Sequence, residues 1–275
     1  MSRLGFRTGL MRCSWIVLLG MLGLMCPQQE AGAAVVWQSV AAPSGFYNTD
    51  IVYENDGSPA VNGSFGSRYF YENGLQATTP LGLVSTGAYS HNFESYLGMG
   101  GTVQFQLGSY ADNQVRKTTS ASAVSVFDVV DGQYDFLAFV ASVGNNNAGL
   151  MLNYTVTYSD ATTLIGSAHV LDWGVSPVSG SPNELFNVGR ANVYSTGTFT
   201  PDGAAQTWSA FAYLVPVDSM KTVTSFSYTA GAVGTNSATG EMAFFALSTG
   251  VVPEPGRMVL LMMAGLMGVM GRRRG

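Results

Sequence analysis

The chain has 275 residues, 47% hydrophobic and only 11% charged, with a formal net charge of −5. Its two cysteines, Cys13 and Cys26, and nine of its thirteen methionines lie near the termini, so the middle differs from the whole. Between Ala34 and Val252, five bases (Arg68, Arg116, Lys117, Arg190, Lys221) stand against fifteen acids, a formal charge of −10. Such a surface repels phosphate backbones and argues against nucleic acid as a partner. A body without cysteine excludes disulfides, a thiolate nucleophile and cysteine metal ligands.

The first element is an export signal over residues 1–33. Arg3, Arg7 and Arg12 form a positive n-region, Trp15 to Cys26 an apolar stretch, and Ala31-Gly32-Ala33 a small-residue cleavage site that leaves Ala34 as the first mature residue. Cys26 does not read as a lipidation site, because Met25 stands where a small residue is wanted. A permanent N-terminal span is disfavoured by the short apolar stretch. Sec-type export machinery is the expected first partner.

The body, residues 34–250, carries a period of two rather than 3.6. Val103-Gln-Phe105-Gln-Leu107 alternates, as does Val124-Ser-Val126 running into Phe127 to Val130. Leu152-Asn-Tyr154-Thr-Val156-Thr-Tyr158 predicts a half-buried strand with one wet face. Tyr134 to Val143 is continuously apolar and predicts a central strand; Thr207 to Val217 and Met242 to Leu247 read similarly, and Val223 to Tyr228 alternates more weakly. Turn clusters separate them at Asp131-Gly132, Gly144 to Asn147, Ser159-Asp160-Ala161, Pro201-Asp202-Gly203 and Thr235-Asn236-Ser237. In the third of these Ala161 stands where a hairpin prefers glycine. Strands at such spacing predict one all-β domain, a single antiparallel β-sandwich flanked by the N-terminal signal helix and a short C-terminal apolar helix. Tyr154 to Thr163 followed by Leu171-Asp172-Trp173, with Tyr110-Ala-Asp112-Asn113 before and Phe244-Phe245 after, resembles jelly-roll sandwiches of the galactose-binding-like kind. That resemblance implies a jelly-roll-like fold of the sort that accompanies carbohydrate-active enzymes.

The chain closes with Pro253-Glu254-Pro255, thirteen residues from Met258 to Met270 that are almost wholly apolar, and Arg272-Arg273-Arg274. The prolines fix φ and remove donors, which holds the tripeptide extended. The apolar run can enter lipid as a helix, and the arginines stay cytoplasmic. In this order at the terminus, the three parts resemble the PEP-CTERM sorting signal of exported proteins of Gram-negative bacteria. The resemblance implies an inner-membrane-anchored precursor, recognition by exosortase (a membrane-embedded cysteine transpeptidase), tail removal near the tripeptide, and a place at the cell surface or in the extracellular polysaccharide and biofilm matrix. A plain membrane anchor is the alternative, against which stands a run shorter than the ~18 apolar residues a stable span needs.

Chemistry in the body is sparse. His91 and His169 are its only histidines, and neither stands beside a metal-ligand partner; His169 reads as a strand-face residue and His91 as a loop residue. No G-x-S-x-G elbow nominates a serine nucleophile. Glu54, Glu72, Glu94, Glu184 and Glu241 show no pairing of the kind glycoside hydrolysis needs. Asp128 and Asp131, and separately Asp50 and Asp56, are candidate ligands for a structural Ca²⁺; the competing reading is solvated turns and charged strand edges. Tyr47, Tyr53, Tyr69 and Tyr71 lie in the less regular first third and are the candidate sugar-stacking residues, with sheet packing as the competing role. No other cofactor is expected. These readings together predict an exported surface or matrix protein without catalysis of its own. A carbohydrate-binding module and a glycan hydrolase or lyase stand as alternatives.

Overall fold

The computed structural model describes residues 34–53, 64, 68–73, 75, 82–93, 102–119, 123–174, 184–193, 199–201, 207–233 and 240–253. Every regular element among them is a strand: β1 (Val36–Val40), β2 (Val52–Tyr53), β3 (Tyr69–Tyr71), β4 (Ala88–Asn92), β5 (Thr102–Gln106), β6 (Arg116–Thr118), β7 (Ser125–Gln133), β8 (Phe136–Gly144), β9 (Leu150–Tyr158), β10 (Thr163–Val170), β11 (Glu184–Val193), β12 (Phe199–Pro201), β13 (Thr207–Pro216), β14 (Thr222–Gly231) and β15 (Glu241–Val251). Both expected terminal helices lie outside the described residues. Among those described, no helix is long and apolar enough to cross a membrane.

The central sheet runs β1-β15-β8-β13-β11-β3-β2, with β12 beside β11 and β6 beside β15. All its pairings are antiparallel except the short one between β2 and β3. A second antiparallel sheet, β10-β9-β14-β7, covers one face, and the β4-β5 hairpin forms a separate pair.

Alternation decides which side chain enters which layer. On β8, Leu137, Phe139, Ala141 and Val143 point toward the second sheet, meeting Phe127 of β7, Val156 of β9, and Phe226 and Tyr228 of β14. Phe244 of β15 sits at the centre of this layer, stacked on Tyr228 at 4.9 Å and on Phe139 at 5.7 Å. Apolar area removed from water is the main stabilising term here.

The opposite face of the same sheet is also buried. Ala138 and Val140 of β8, Ala210 and Ala212 of β13, and Ala243 of β15 meet Val103 and Phe105 of β5, with Ile51, Phe70, Phe93 and Trp173. A register shift between Phe244 and Ala246 makes β15 a bulged strand, which turns both Phe245 and Ala246 into this second core. Above it, Gln104 O accepts hydrogen bonds from Ser39 Oγ at 2.7 Å and Ser248 Oγ at 2.6 Å, tying β5 over β1 and β15. The expected all-β, antiparallel sandwich is present in the two packed sheets, and the central sheet is in addition covered on its other face. Small residues made the second cover hard to read. Alanine faces let β5 and the loops of the first third approach closely without writing a strongly apolar pattern into the sequence.

Candidate functional site

Three places carry functional weight: the C-terminal boundary, a groove beside β1, and the scattered carboxylates. At the boundary, β15 ends on Val251, paired with Val36 at the start of β1. Asp135 holds the next residues. Its amide donates to Gly250 O at 2.9 Å, its Oδ2 accepts Val252 N at 2.6 Å, and its carbonyl accepts Val217 N at 3.0 Å. Pro253 is the last described residue; Glu254, Pro255, Arg272, Arg273 and Arg274 lie outside, as do Ala31 and Ala33. Ala34, the expected mature N-terminus, is exposed two residues before β1. The two ends of the body thus emerge side by side at one end of the central sheet.

At the other end of β1, a groove of about 720 Å³ opens between residues 39–47 and residues 106–113. Ser44, Ser109, Asp112 and Asn113 supply its polar lining, and Val40, Pro43, Leu107 and Tyr47 its apolar part. Tyr47 is fixed from behind: its hydroxyl donates to Phe245 O at 2.6 Å, and its ring meets Phe46 edge-on at 5.4 Å. Burial pushes the Tyr47 phenol well above its ordinary value, so it stays neutral. Gly108 lets the two walls approach closely: a Cβ there would lie 3.0 Å from both the Tyr47 ring and the Gln114 Cα, so these neighbours would have to give. Gln106 Nε2 donates to Thr86 O at 2.9 Å, which fixes the rim.

The other candidate tyrosines do not gather at this groove. Tyr71 on β3 is fully buried, its hydroxyl filling the space that Gly189 leaves open. Tyr69 is half-buried on the same strand, and burial, then the nearby Asp50 charge, raises its phenol pKa. Tyr53 pairs with Tyr71 through the backbone of β2 and β3, and its side chain lies outside the described residues.

Most of the described carboxylates serve as acceptors that close loops. Asp50 is buried, with Oδ1 accepting Gln114 Nε2 at 2.6 Å and Val52 N at 3.2 Å. Gln114 also donates to Tyr110 O at 2.7 Å and accepts Ile51 N at 3.0 Å, so the pair rivets two distant loops together. Burial raises the Asp50 carboxyl to about 6 although these hydrogen bonds pull it down, and the Asp112 charge adds to the rise. Asp172 accepts Asn146 N at 3.1 Å and Gly174 N at 2.8 Å. Glu184 accepts Ser209 Oγ, and Glu241 pairs with Lys117 at 3.1 Å.

Asp128 and Asp131 are exposed on β7, the outermost strand of its sheet, and Asp56 lies outside the described residues. Among the described residues, no three of His, Cys, Asp and Glu stand close enough to hold a metal ion. His91 is corrected from loop to strand: it lies on β4 opposite Val103, its ring 4.5 Å from Phe93. His169 Nε2 is 2.7 Å from Ala148 O.

Sequence reasoning grouped Asp135 with Asp128 and Asp131 and missed its role at the boundary, and it missed Gln114 and the groove. Asp135 follows a turn and reads as solvated; Gln114 and the groove depend on residues some sixty positions apart, which no local pattern reports. Gly108 beside Tyr110 and Asp112 was the only local signal of a close backbone approach.

No protein-family model matches the chain, and no curated protein matches it. A solved structure of an inactivated mutant of β-agarase B in complex with agaro-octaose is similar over 82% of this chain and 97% of that one, with 10% identity and a TM-score of 0.27. An overlap this low assigns this chain neither that fold nor that activity.

Proposed function

We propose that this is an exported, non-enzymatic surface or matrix protein of a Gram-negative bacterium, processed through its C-terminal sorting signal and displayed toward extracellular polysaccharide. The observation that carries this reading is where the last described strand ends. The last strand closes on Val251, Asp135 secures Val252, and the Pro-Glu-Pro tripeptide begins at the next residue with no linker between. A last described strand that closes directly before a Pro-Glu-Pro sequence suits a substrate whose tail is removed there. The carboxylates support the non-catalytic part, since buried and paired groups such as Asp50, Asp172 and Glu241 already act as loop acceptors. Exosortase and the export machinery are the partners, and the membrane contact is transient.

Replacing Pro253, Glu254 and Pro255 together by alanine tests the sorting step in the producing host. The expected outcome is accumulation in the inner-membrane fraction with loss from the cell surface. Unchanged distribution would reduce the tail to a plain anchor. For the non-catalytic step, wild-type protein incubated with the host's polysaccharide is expected to release no new reducing ends; their appearance would make it a glycan hydrolase.

A further inference from the structure

We infer that the groove between residues 39–47 and 106–113 binds an uncharged, hydroxyl-rich glycan segment. This deepens the polysaccharide part of the proposed function and rests on that part alone. Four observations lead there. At about 720 Å³ the groove falls within the size range of small-ligand sites. Its lining is amphipathic, with Pro43, Leu107 and the Tyr47 ring offering apolar contact while Ser44, Ser109, Asp112 and Asn113 offer hydrogen bonds. A sugar ring presents the same mixture of C–H faces and hydroxyls. Asp112 is the only charged side chain among the described lining, in a body of formal charge −10, so an anionic chain is repelled while a hydroxyl can donate to the carboxylate.

The third observation is that the wall is already rigid. Tyr47 is anchored on Phe245 O, Gln106 on Thr86 O, and the turn before Tyr47 closes through Phe46 N donating to Pro43 O at 3.0 Å. Ordering cost on binding is correspondingly small. Position supplies the fourth. Tyr47 meets β15 at Phe245, eight residues before Pro253, or roughly 25 Å along an extended strand. The groove therefore lies along β15 away from Val251, its nearest lining residue, Ser39, standing opposite Ser248.

Affinity electrophoresis of the full chain in detergent tests this, with gels cast in dextran or hydroxyethyl cellulose as neutral polymers and alginate as an anionic one. The expected result is retardation by a neutral polymer, competed by its free oligosaccharides, and none by alginate. Asp112→Ala, which removes the acceptor, and Ser44→Trp, which fills the groove from an exposed turn, should each weaken retardation about ten-fold. Ser167→Trp, exposed on β10, should leave it unchanged. No retardation by either neutral polymer, equal retardation of wild type and both groove variants, or loss confined to Ser167→Trp overturns the inference. Failure of the sorting reading shows up separately, as an unprocessed tail, and does not alter retardation.

Discussion

Two residues carry local energetic costs that can be measured. Ala161, in the turn between β9 and β10, sits at φ +63°. A side chain there costs about 1 kcal/mol relative to the right-handed region, which glycine avoids. Asp160 compensates, with Oδ1 accepting Thr162 N at 3.0 Å and a 3.0 Å ion pair to Lys221, and these contacts, Thr162 first, lower its carboxyl pKa to about 2. Ala161→Gly should raise stability by about 0.5–1 kcal/mol in urea unfolding with an unchanged slope. Destabilisation would mean the turn depends on the methyl group.

Asp50 is the second. Its folded pKa of about 6 lies above the ordinary 3.8, so the folded state holds its proton more tightly than the unfolded one. The resulting stabilisation is complete below about pH 4 and disappears as pH rises through about 6. Wild type should therefore gain melting temperature relative to Asp50→Asn as pH falls from about 7.5 to about 4.5. A constant difference across that range would place the carboxyl in an environment wetter than its burial implies.

At the scale of elements, legibility follows from how burial writes itself into sequence. β5, β7 and β9 each have one wet face, and their two-residue alternation was readable. β8 is buried along its whole length, and a continuous apolar run announced it. β2, β3 and β4 were not readable. They span two, three and five residues, and tertiary contacts rather than local pattern hold them in place. The two faces of the central sheet should respond oppositely to volume. Phe244→Ala removes the ring stacked between Tyr228 and Phe139 and should cost about 3–5 kcal/mol. Ala212→Leu adds bulk where β13 faces the second core and should cost about 1–3 kcal/mol by overpacking. Tolerance of leucine at 212 in urea unfolding would mean that face is loosely packed.

For the whole molecule, the sheet arrangement was partly legible and the site hardly at all. All-β character and most long strands follow from periodicity, but the second cover and the groove arise from segments far apart in the chain. Ser39 and Gln104, which meet across the second core, are 65 residues apart. The terminal segments lie outside the described residues, and their reading rests on the chemistry of prolines, an apolar run and arginines and not on packing. The fold adds one fact beside that reading: Val36 and Val251 are neighbours, so the two ends of the body leave from the same place.

The most direct test of the account is the intact mass of the protein recovered from the cell surface of its host. The account predicts a chain that begins at Ala34 and ends near Pro253 to Pro255, lacking the apolar run and the arginines, and that stays full-length at its C-terminus in a host without exosortase. A surface form that still carries Arg272 to Arg274 in the exosortase-bearing host would contradict it.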